Sequence, residues 1–270
     1  MTRPVGPSAL LRAVVAAVKL VAAEEIMPRY MKVTLKHSKD DGSLCTDADL
    51  ASQEVLTRKL QAILNVPVIG EEMSKQEQFA HWAEGTQGVW CIDPLDGTTN
   101  FVNGLPYFGV SVALIREGRS VLGVVFNPVA KETFSAELGR GAFLNGTKLQ
   151  PCNSSKNLSE ALAMIDMKRL NTSLASKLVI APPYSSQRNF GASTLDWCYT
   201  AAGRYDVYLH GGQKLWDYAA GSLVLHEAGG RACNLDQDNF YQGDVWNRSV
   251  IASLDPALFQ QWKNWLRAEQ

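Results

Sequence analysis

The chain has 270 residues, of which 46% are apolar, enough for a substantial core in one large domain or two small ones. Its 26 Lys and Arg nearly balance its 27 Asp and Glu, and the net charge of −1 argues against binding to nucleic acid or to an anionic membrane. The five cysteines are odd in number and never in C-x-x-C spacing, which argues against a disulfide framework and a zinc site. We therefore expect a globular protein of a reducing compartment, the cytoplasm.

The first predicted element is an amphipathic helix that begins after Ser8 and ends near Met27. We expect an amphipathic helix and not a signal peptide here, because Arg12 and Lys19 interrupt the apolar stretch and no clean small-residue cleavage site follows. Residues 29–44 are polar and rich in Lys, Asp and Gly, which predicts a mobile loop.

A second helix is predicted from Thr46, because Thr46 and Asp49 have the spacing of a capping box. Its predicted apolar stripe consists of Leu50, Val55, Leu56, Leu60, Ile63 and Leu64. A short buried strand at residues 66–69 then delivers Glu71 to its end. On these patterns alone, Asp49 is a helix cap and Glu71 is a solvated side chain.

The central stretch is an apolar run at residues 88–92 that ends abruptly at Asp93-Pro94. Pro94 fixes its own φ and Gly97 permits a tight turn, so Asp93 and Asp96 can converge on one point. Two close carboxylates repel each other unless a cation lies between them. The N–H groups of the small residues that follow would face a phosphate if they open a helix. The alternative is a capped turn that binds nothing, because Asp-Pro and Asp-Gly are common turn dipeptides.

The rest of the chain predicts an antiparallel meander and then a second α/β layer. The meander strands are predicted at residues 107–116, 120–127 and 133–137, with a hairpin at Asn145-Gly146. A polar connection at 151–159 is the candidate boundary between two halves. Beyond it, strands are predicted at 161–165 and 178–180, and helices at 193–202, at 216–228 and after Asp255.

Three ordered motifs give the sequence a specific resemblance. They are Gly70-Glu71-Glu72, Asp93-Pro94-Leu95-Asp96-Gly97-Thr98-Thr99-Asn100, and Trp216-Asp217-Tyr218-Ala219-Ala220-Gly221. The second resembles the D-P-x-D-G-T-x-N signature of the inositol monophosphatase family of metal-dependent, lithium-sensitive phosphatases. The resemblance covers about residues 46–252. It implies an α/β (α+β) fold, the layered αβαβα sandwich of inositol monophosphatase and fructose-1,6-bisphosphatase. It also implies one domain, residues 1–270, with halves 1–150 and 151–270.

The resemblance implies a magnesium site of oxygen ligands, a donor set that suits a hard cation. The implied ligands are Glu71, Asp93, the Leu95 carbonyl, Asp96 and Asp217. They would hold two Mg²⁺ ions, with a third, weaker ion largely on Glu71 and water, and Li⁺ would inhibit. The implied catalytic residues are Thr98, Asp49 and Glu71, with Thr98 and Asp49 orienting the attacking water. The Gly97 and Thr98 N–H groups would bind the phosphate.

The resemblance also implies the substrate contacts and a homodimer. The implied contacts are Asp96, Gly191, Ala192, Ser193, His210 and Asp217. His210 stands where inositol-specific members have a glutamate that contacts the sugar, so the identity of the sugar is left open.

The expected function is hydrolysis of a small phosphate monoester, inositol monophosphate or a related polyol or sugar phosphate. The alternatives are a fructose-1,6-bisphosphatase or a 3′-phosphoadenosine nucleotide phosphatase. From another class, the alternative is an RNA polymerase-associated binding protein with secondary catalysis.

Overall fold

The structure is a computed structural model that describes residues 6–32, 36–38 and 44–269. The helices are α1 Ala9–Val21, α2 Asp47–Ile63, α3 Lys75–Glu84, α4 Thr98–Val102, α5 Thr172–Ile180, α6 Ser193–Ala201, α7 Leu215–Glu227 and α8 Pro256–Ala268. The strands are β1 Lys36–Ser38, β2 Leu44–Thr46, β3 Val68–Gly70, β4 Val89–Asp96, β5 Gly109–Arg116, β6 Arg119–Asn127, β7 Glu132–Glu137, β8 Gly141–Leu144, β9 Thr147–Lys148, β10 Leu162–Asp166, β11 Ser186–Arg188, β12 Val207–Lys214, β13 Arg231–Cys233 and β14 Asn247–Ser253.

The first sheet contains seven strands in the chain order β3 to β9. The pair β3 and β4 is parallel, and each later pair is antiparallel, as the predicted meander requires. Asn145 and Gly146 have φ values of 50° and 81° and join β8 to β9, which confirms the predicted hairpin.

Alternation along β4 decides which layer each side chain joins, because successive residues of a strand point to opposite faces. Trp90 and Ile92 pack in one core with α1 and α2, whereas Cys91 packs in another core with α6 and α7. Ser8 caps α1 by accepting a hydrogen bond from the Leu11 N–H at 3.1 Å, as predicted.

The second sheet has the strand order β11-β10-β12-β14-β13, with β10 parallel to both of its neighbours. Met164 of β10 faces the core shared with α6 and α7, while Ala163 and Ile165 face a third core with α5 and α8. The layers therefore run helices, sheet, helices, sheet, helices. This confirms the αβαβα fold.

Residues 178–180, predicted as a strand, instead form the end of α5. Asn171 caps this helix by accepting from the Leu174 N–H at 2.8 Å, and Leu174 and Leu178 lie buried one turn apart. A short apolar run does not distinguish a strand from one helical turn, so the sequence prediction was wrong here.

Two predictions for the first 64 residues also need correction. Leu50 is 48% exposed, so it does not belong to the buried stripe of α2. The predicted loop at 29–44 contains β1 and part of β2, which pair antiparallel from Lys36 opposite Thr46. Its residues 33–35 and 39–43 lie outside the described part of the chain. Across the described ranges, no helix has the length and apolarity needed to span a bilayer.

Candidate active site

An acidic cavity of about 160 Å³ lies where β4 ends. Its lining consists of Leu44, Glu71, Asp93, Leu95, Asp96, Gly97, Thr98, Thr99, Gly191 and Asp217. All four carboxylates that the sequence predicts as metal ligands are in this set. The structure therefore brings together three motifs that are far apart in the chain.

The end of β4 is shaped by an interruption of its pairing with β5. Asp93 pairs with Ser111 and Asp96 pairs with Gly109, with a register shift between the two pairs. Pro94 cannot donate to a ladder, and such irregularities redirect the side chains beside them. The Leu95 N–H donates to Asp93 Oδ1 at 3.1 Å, which closes a tight turn behind the carboxylate. The proposed metal-binding turn is therefore already formed by the backbone.

Asp49 belongs to the capping box of α2 and also hydrogen-bonds to Thr98, which lines the cavity. The Thr46 N–H donates to Asp49 Oδ2 at 2.7 Å, and Thr98 Oγ1 donates to Asp49 Oδ1 at 3.0 Å. Burial raises the pKa of Asp49 to about 6, although the hydrogen bond from Thr46 opposes the rise. The two interpretations of Asp49, cap and catalytic partner, are therefore compatible.

The four carboxylates disturb one another electrostatically. Burial raises the pKa of Asp93 well above its ordinary value, and the charges of Glu71, Asp96 and Asp217 raise it further. Burial and the charges of Asp96 and Glu71 raise the pKa of Asp217 in the same way. Such a cluster is stable as an ionised set only if cations neutralise it.

Asp217 reaches the cavity because the start of α7 packs closely against its neighbours. A Cβ on Gly221 would lie 2.4 Å from the Trp197 Cβ, and a Cβ on Gly123 would lie 2.8 Å from the Ala220 oxygen. Larger residues at these glycines would push α7 away from α6 and the first sheet. The Lys214 N–H also donates to Asp217 Oδ2 at 2.8 Å. The small residues of the third motif thus determine where Asp217 stands.

The chemistry of this donor set fits Mg²⁺. The carboxylates and the Leu95 carbonyl are hard oxygen donors, and they share one cavity. Within residues 6–32, 36–38 and 44–269, no three His, Cys, Asp or Glu side chains are grouped closely enough to hold a metal ion by themselves. Mg²⁺ does not need such a cage, since it is usually held by one or two carboxylates together with waters and substrate oxygens.

Thr194 is a site residue that the sequence reasoning missed. Its N–H and its Oγ1 both donate to Asp96 Oδ2, each at 2.7 Å. Burial raises the pKa of Asp96 to about 6, and these two hydrogen bonds from Thr194 oppose the rise. Only its place at the start of α6, next to the predicted Gly191–Ser193 segment, could have drawn attention to it.

Only some of the predicted substrate contacts line the acidic cavity. Gly191 lines the cavity, while Ala192 is buried with its Cβ 3.1 Å from where a Cβ of Gly97 would lie. Ser193 and His210 are not part of the lining.

His210 is 5% exposed, and its Nδ1 accepts from the Gly212 N–H at 3.1 Å. Its Nε2 lies 3.7 Å from Asp166 Oδ2. Burial lowers the pKa of His210 to about 4, against the opposing charge of Asp166. His210 is therefore a buried, neutral side chain that does not line the acidic cavity.

The five-layer αβαβα fold, with an acidic cavity at the end of β4, is the layered α/β fold of inositol monophosphatases and SuhB proteins. The chain belongs to the inositol monophosphatase family, whose sequence model matches residues 7–267.

Relatives and solved structures agree with this assignment. The inositol-1-monophosphatase of Mesorhizobium japonicum is 36% identical over 214 residues, 77% of this chain and 79% of that protein. Nus factor SuhB of Pasteurella multocida is 35% identical over 216 residues, 78% of each chain. The structure of extragenic suppressor protein suhB from Bartonella henselae has a TM-score of 0.82 at 27% identity, covering 96% of this chain and 99% of that one. An IMPase of Thermotoga maritima has a TM-score of 0.81 at 26% identity, covering 96% of each.

Proposed function

We propose that this protein is a magnesium-dependent phosphatase for a small phosphate monoester, inositol monophosphate or a related polyol or sugar phosphate. The observation that carries the proposal is one cavity lined by four acidic residues and by Thr98, whose hydroxyl donates to the buried Asp49. The family is magnesium-dependent and inhibited by lithium, and its members are phosphatases.

Glu71 and Asp93 would hold one ion, and Asp93, Asp96 and Asp217 would hold a second, with the Leu95 carbonyl as a further ligand of the site. A third, weaker ion would rest on Glu71 and water. When bound, Mg²⁺ ions activate water and stabilise the charge that develops on the phosphate and leaving oxygens.

The chain's own residues would orient the nucleophile. A threonine hydroxyl has one proton and two lone pairs. When Asp49 is ionised, its Oδ1 accepts a hydrogen bond from the Thr98 hydroxyl, with 3.0 Å between the two oxygens, and the lone pairs of Thr98 stay available to a water molecule. The attacking water would thus be aimed at phosphorus and begin to lose its proton toward Thr98. The Gly97 and Thr98 N–H groups would bind the phosphate oxygens.

The substrate contacts from the second half would be Gly191, Ala192, Ser193 and His210, together with Asp96 and Asp217. The neutral His210 differs in charge from the glutamate of inositol-specific members, which keeps fructose bisphosphate and 3′-phosphoadenosine nucleotides as alternatives. The homodimer and the cytoplasmic location remain predictions.

A role outside catalysis has one specific observation in its favour. The chain is 35% identical to a relative named Nus factor SuhB, over 78% of both. A binding role with RNA polymerase, with catalysis secondary, is therefore the second candidate. The test is co-purification with RNA polymerase: binding that survives Asp93→Asn would support this role, and no binding by the wild type would exclude it.

The proposed phosphatase is tested by phosphate release from the purified protein in Mg²⁺. The panel contains inositol monophosphate, fructose 1,6-bisphosphate and 3′-phosphoadenosine 5′-phosphate. We expect release from the inositol or sugar phosphate that stops in EDTA and falls with Li⁺. Release that is equal for wild type and Asp93→Asn, or no Mg²⁺-dependent release from any compound, would contradict the proposal.

A further inference from the structure

A second, larger cavity of about 550 Å³ lies beside β12 and shares no lining residue with the acidic cavity. Its size is in the usual range for small-molecule sites. Its wall includes Gly211 of β12, Arg169 after β10, and Asn247 and Arg248 of β14. In open α/β sheets, ligands bind outside the carboxyl ends of parallel strands, and β10 and β12 are parallel neighbours. The same segment that contributes Gly211 here continues into α7 and contributes Asp217 to the acidic cavity.

Arg248 is a buried cation in this wall, with 5% of its surface exposed. Its Nε donates to the backbone oxygen of Asp244 at 3.0 Å, and its Nη2 donates to the backbone oxygen of Tyr241 at 3.2 Å. The guanidinium also lies 5.1 Å from the centre of the Tyr218 ring. These contacts hold the group in place. Within the described ranges no carboxylate pairs with it, so its charge is not neutralised.

Arg169 is a second cation, held at the exposed edge of the cavity. Its Nη1 donates to the Gly212 oxygen at 2.6 Å, and its backbone has a φ of 67°. A Cβ on Gly211 would lie 2.4 Å from the Arg169 carbonyl carbon, so only glycine allows this close approach. A non-glycine residue in the left-handed region persists only when its surroundings enforce it. Arg169 thus keeps a defined position over the cavity, with further guanidinium donors to offer.

Two carboxylates also line the cavity, and both are at its solvent side. Asp236 and Asp244 are exposed, and Asp244 Oδ1 accepts from the Trp246 N–H at 2.8 Å. Water screens exposed charges much more than buried ones. The charge of the buried Arg248 is therefore screened less than those of the two aspartates, and the exposed Asn171 and Asn247 amides provide further donors.

We propose that this cavity binds an anionic group, a phosphate or a carboxylate, of a small molecule. Arg169 and Arg248 would supply the charge, and the amides would supply additional hydrogen bonds. The anion comes either from a free metabolite or from a second anionic group on the substrate. Only the substrate source rests on the proposed phosphatase function.

Calorimetric titration of inorganic phosphate into the full chain, stripped of metal and then dialysed free of chelator, tests the site itself. Without divalent ions the carboxylates of the acidic cavity repel phosphate, so binding reports the second cavity. We expect wild-type binding, and about tenfold weaker binding for Arg169→Gln, because one charge-assisted contact is removed. Lys168→Gln is the matched control, since it removes an exposed neighbouring charge that is not in the lining. No binding by the wild type, or equal effects of the two substitutions, would overturn the proposal.

The source of the anion is decided by comparing a sugar bisphosphate with its monophosphate as substrates. If Arg169→Gln lowers the kcat/KM ratio of bisphosphate to monophosphate, the anion belongs to the substrate. If Arg169→Gln leaves this ratio unchanged but weakens phosphate binding, the anion is a free metabolite. If the protein hydrolyses neither compound, the phosphatase proposal fails for these substrates while the calorimetric result still decides the anion site.

Discussion

Thr194 directs two hydrogen-bond donors, its backbone N–H and its hydroxyl, at the same oxygen of Asp96, each at 2.7 Å. The two residues are far apart in the chain and meet because α6 packs against β5 and β6 of the first sheet, which brings its start to Asp96. Hydrogen bonds to an ionised carboxylate favour its charged form and restrict its rotation. Asp96 is therefore held in one orientation before any ion arrives.

Thr194→Val keeps the shape and the backbone donor but removes the hydroxyl. We expect Mg²⁺ to bind about tenfold more weakly, because residues that orient metal ligands typically contribute 10–100-fold to affinity. Calorimetric titration with Mg²⁺ and the Mg²⁺ dependence of kcat measure the effect. Thr200→Val is the control on the same helix, since the Thr200 hydroxyl donates to the backbone oxygen of Asp196 and not to a carboxylate of the acidic cavity. Equal losses in both variants would show that Thr194 only stabilises the fold.

Asp93→Asn removes a carboxylate that is proposed to bridge two ions. Phosphatase activity should be nearly abolished. In EDTA the melting temperature should be unchanged or higher, because burial and the charges of Glu71, Asp96 and Asp217 raise the pKa of Asp93 and disfavour its ionised form in the fold. Circular dichroism melting with and without Mg²⁺ provides the measurement. A large drop in the metal-free melting temperature would mean that Asp93 is structural.

The metal-free protein should lose stability through Asp49 as the pH rises. Burial raises the pKa of Asp49 from 3.8 to about 6, so the folded state binds this proton more tightly than the unfolded state. The contribution is fully present below pH 4 and is lost as the pH rises through 6, a change of about 3 kcal/mol. Urea unfolding in EDTA at pH 4.5, 6 and 7.5 should record about 2 kcal/mol of this change, because part of it is already lost at pH 4.5. Wild type should lose more stability over this range than Asp49→Asn, and parallel curves would contradict the assignment.

His210→Glu tests whether this position selects the sugar. If His210 contacts substrate as its alignment predicts, the ratio of kcat/KM for inositol phosphate to that for other sugar phosphates should shift several-fold, about 1 kcal/mol. Stability should also fall, because the new carboxylate would be buried beside Asp166, which lies 3.7 Å from the present imidazole. His210→Gln is the neutral control. Equal effects on all substrates would make His210 a packing residue.

The sequence by itself determined the features that depend on neighbours within a few residues. The Thr46–Asp49 capping box, the turn at Asp93–Gly97 and the Asn145-Gly146 hairpin are such features, and each was predicted correctly. The motif order also indicated the fold and the acidic residues. The prediction of a strand at residues 178–180 was wrong because a short apolar run has no distinctive period. These residues form the end of a helix that Asn171 caps.

Only the tertiary structure decided which distant residues share a surface. Thr194 reaches Asp96 because α6 is packed between the two sheets. Arg169 lines the second cavity because Gly211 has no side chain and lets the Arg169 backbone lie directly against it. His210, which pairs with Asp166 and Val250 in the register of β12, does not line the acidic cavity. Local propensity acts over a few residues, whereas sheet register and helix packing depend on the whole core. Such contacts therefore cannot be inferred from spacing along the chain.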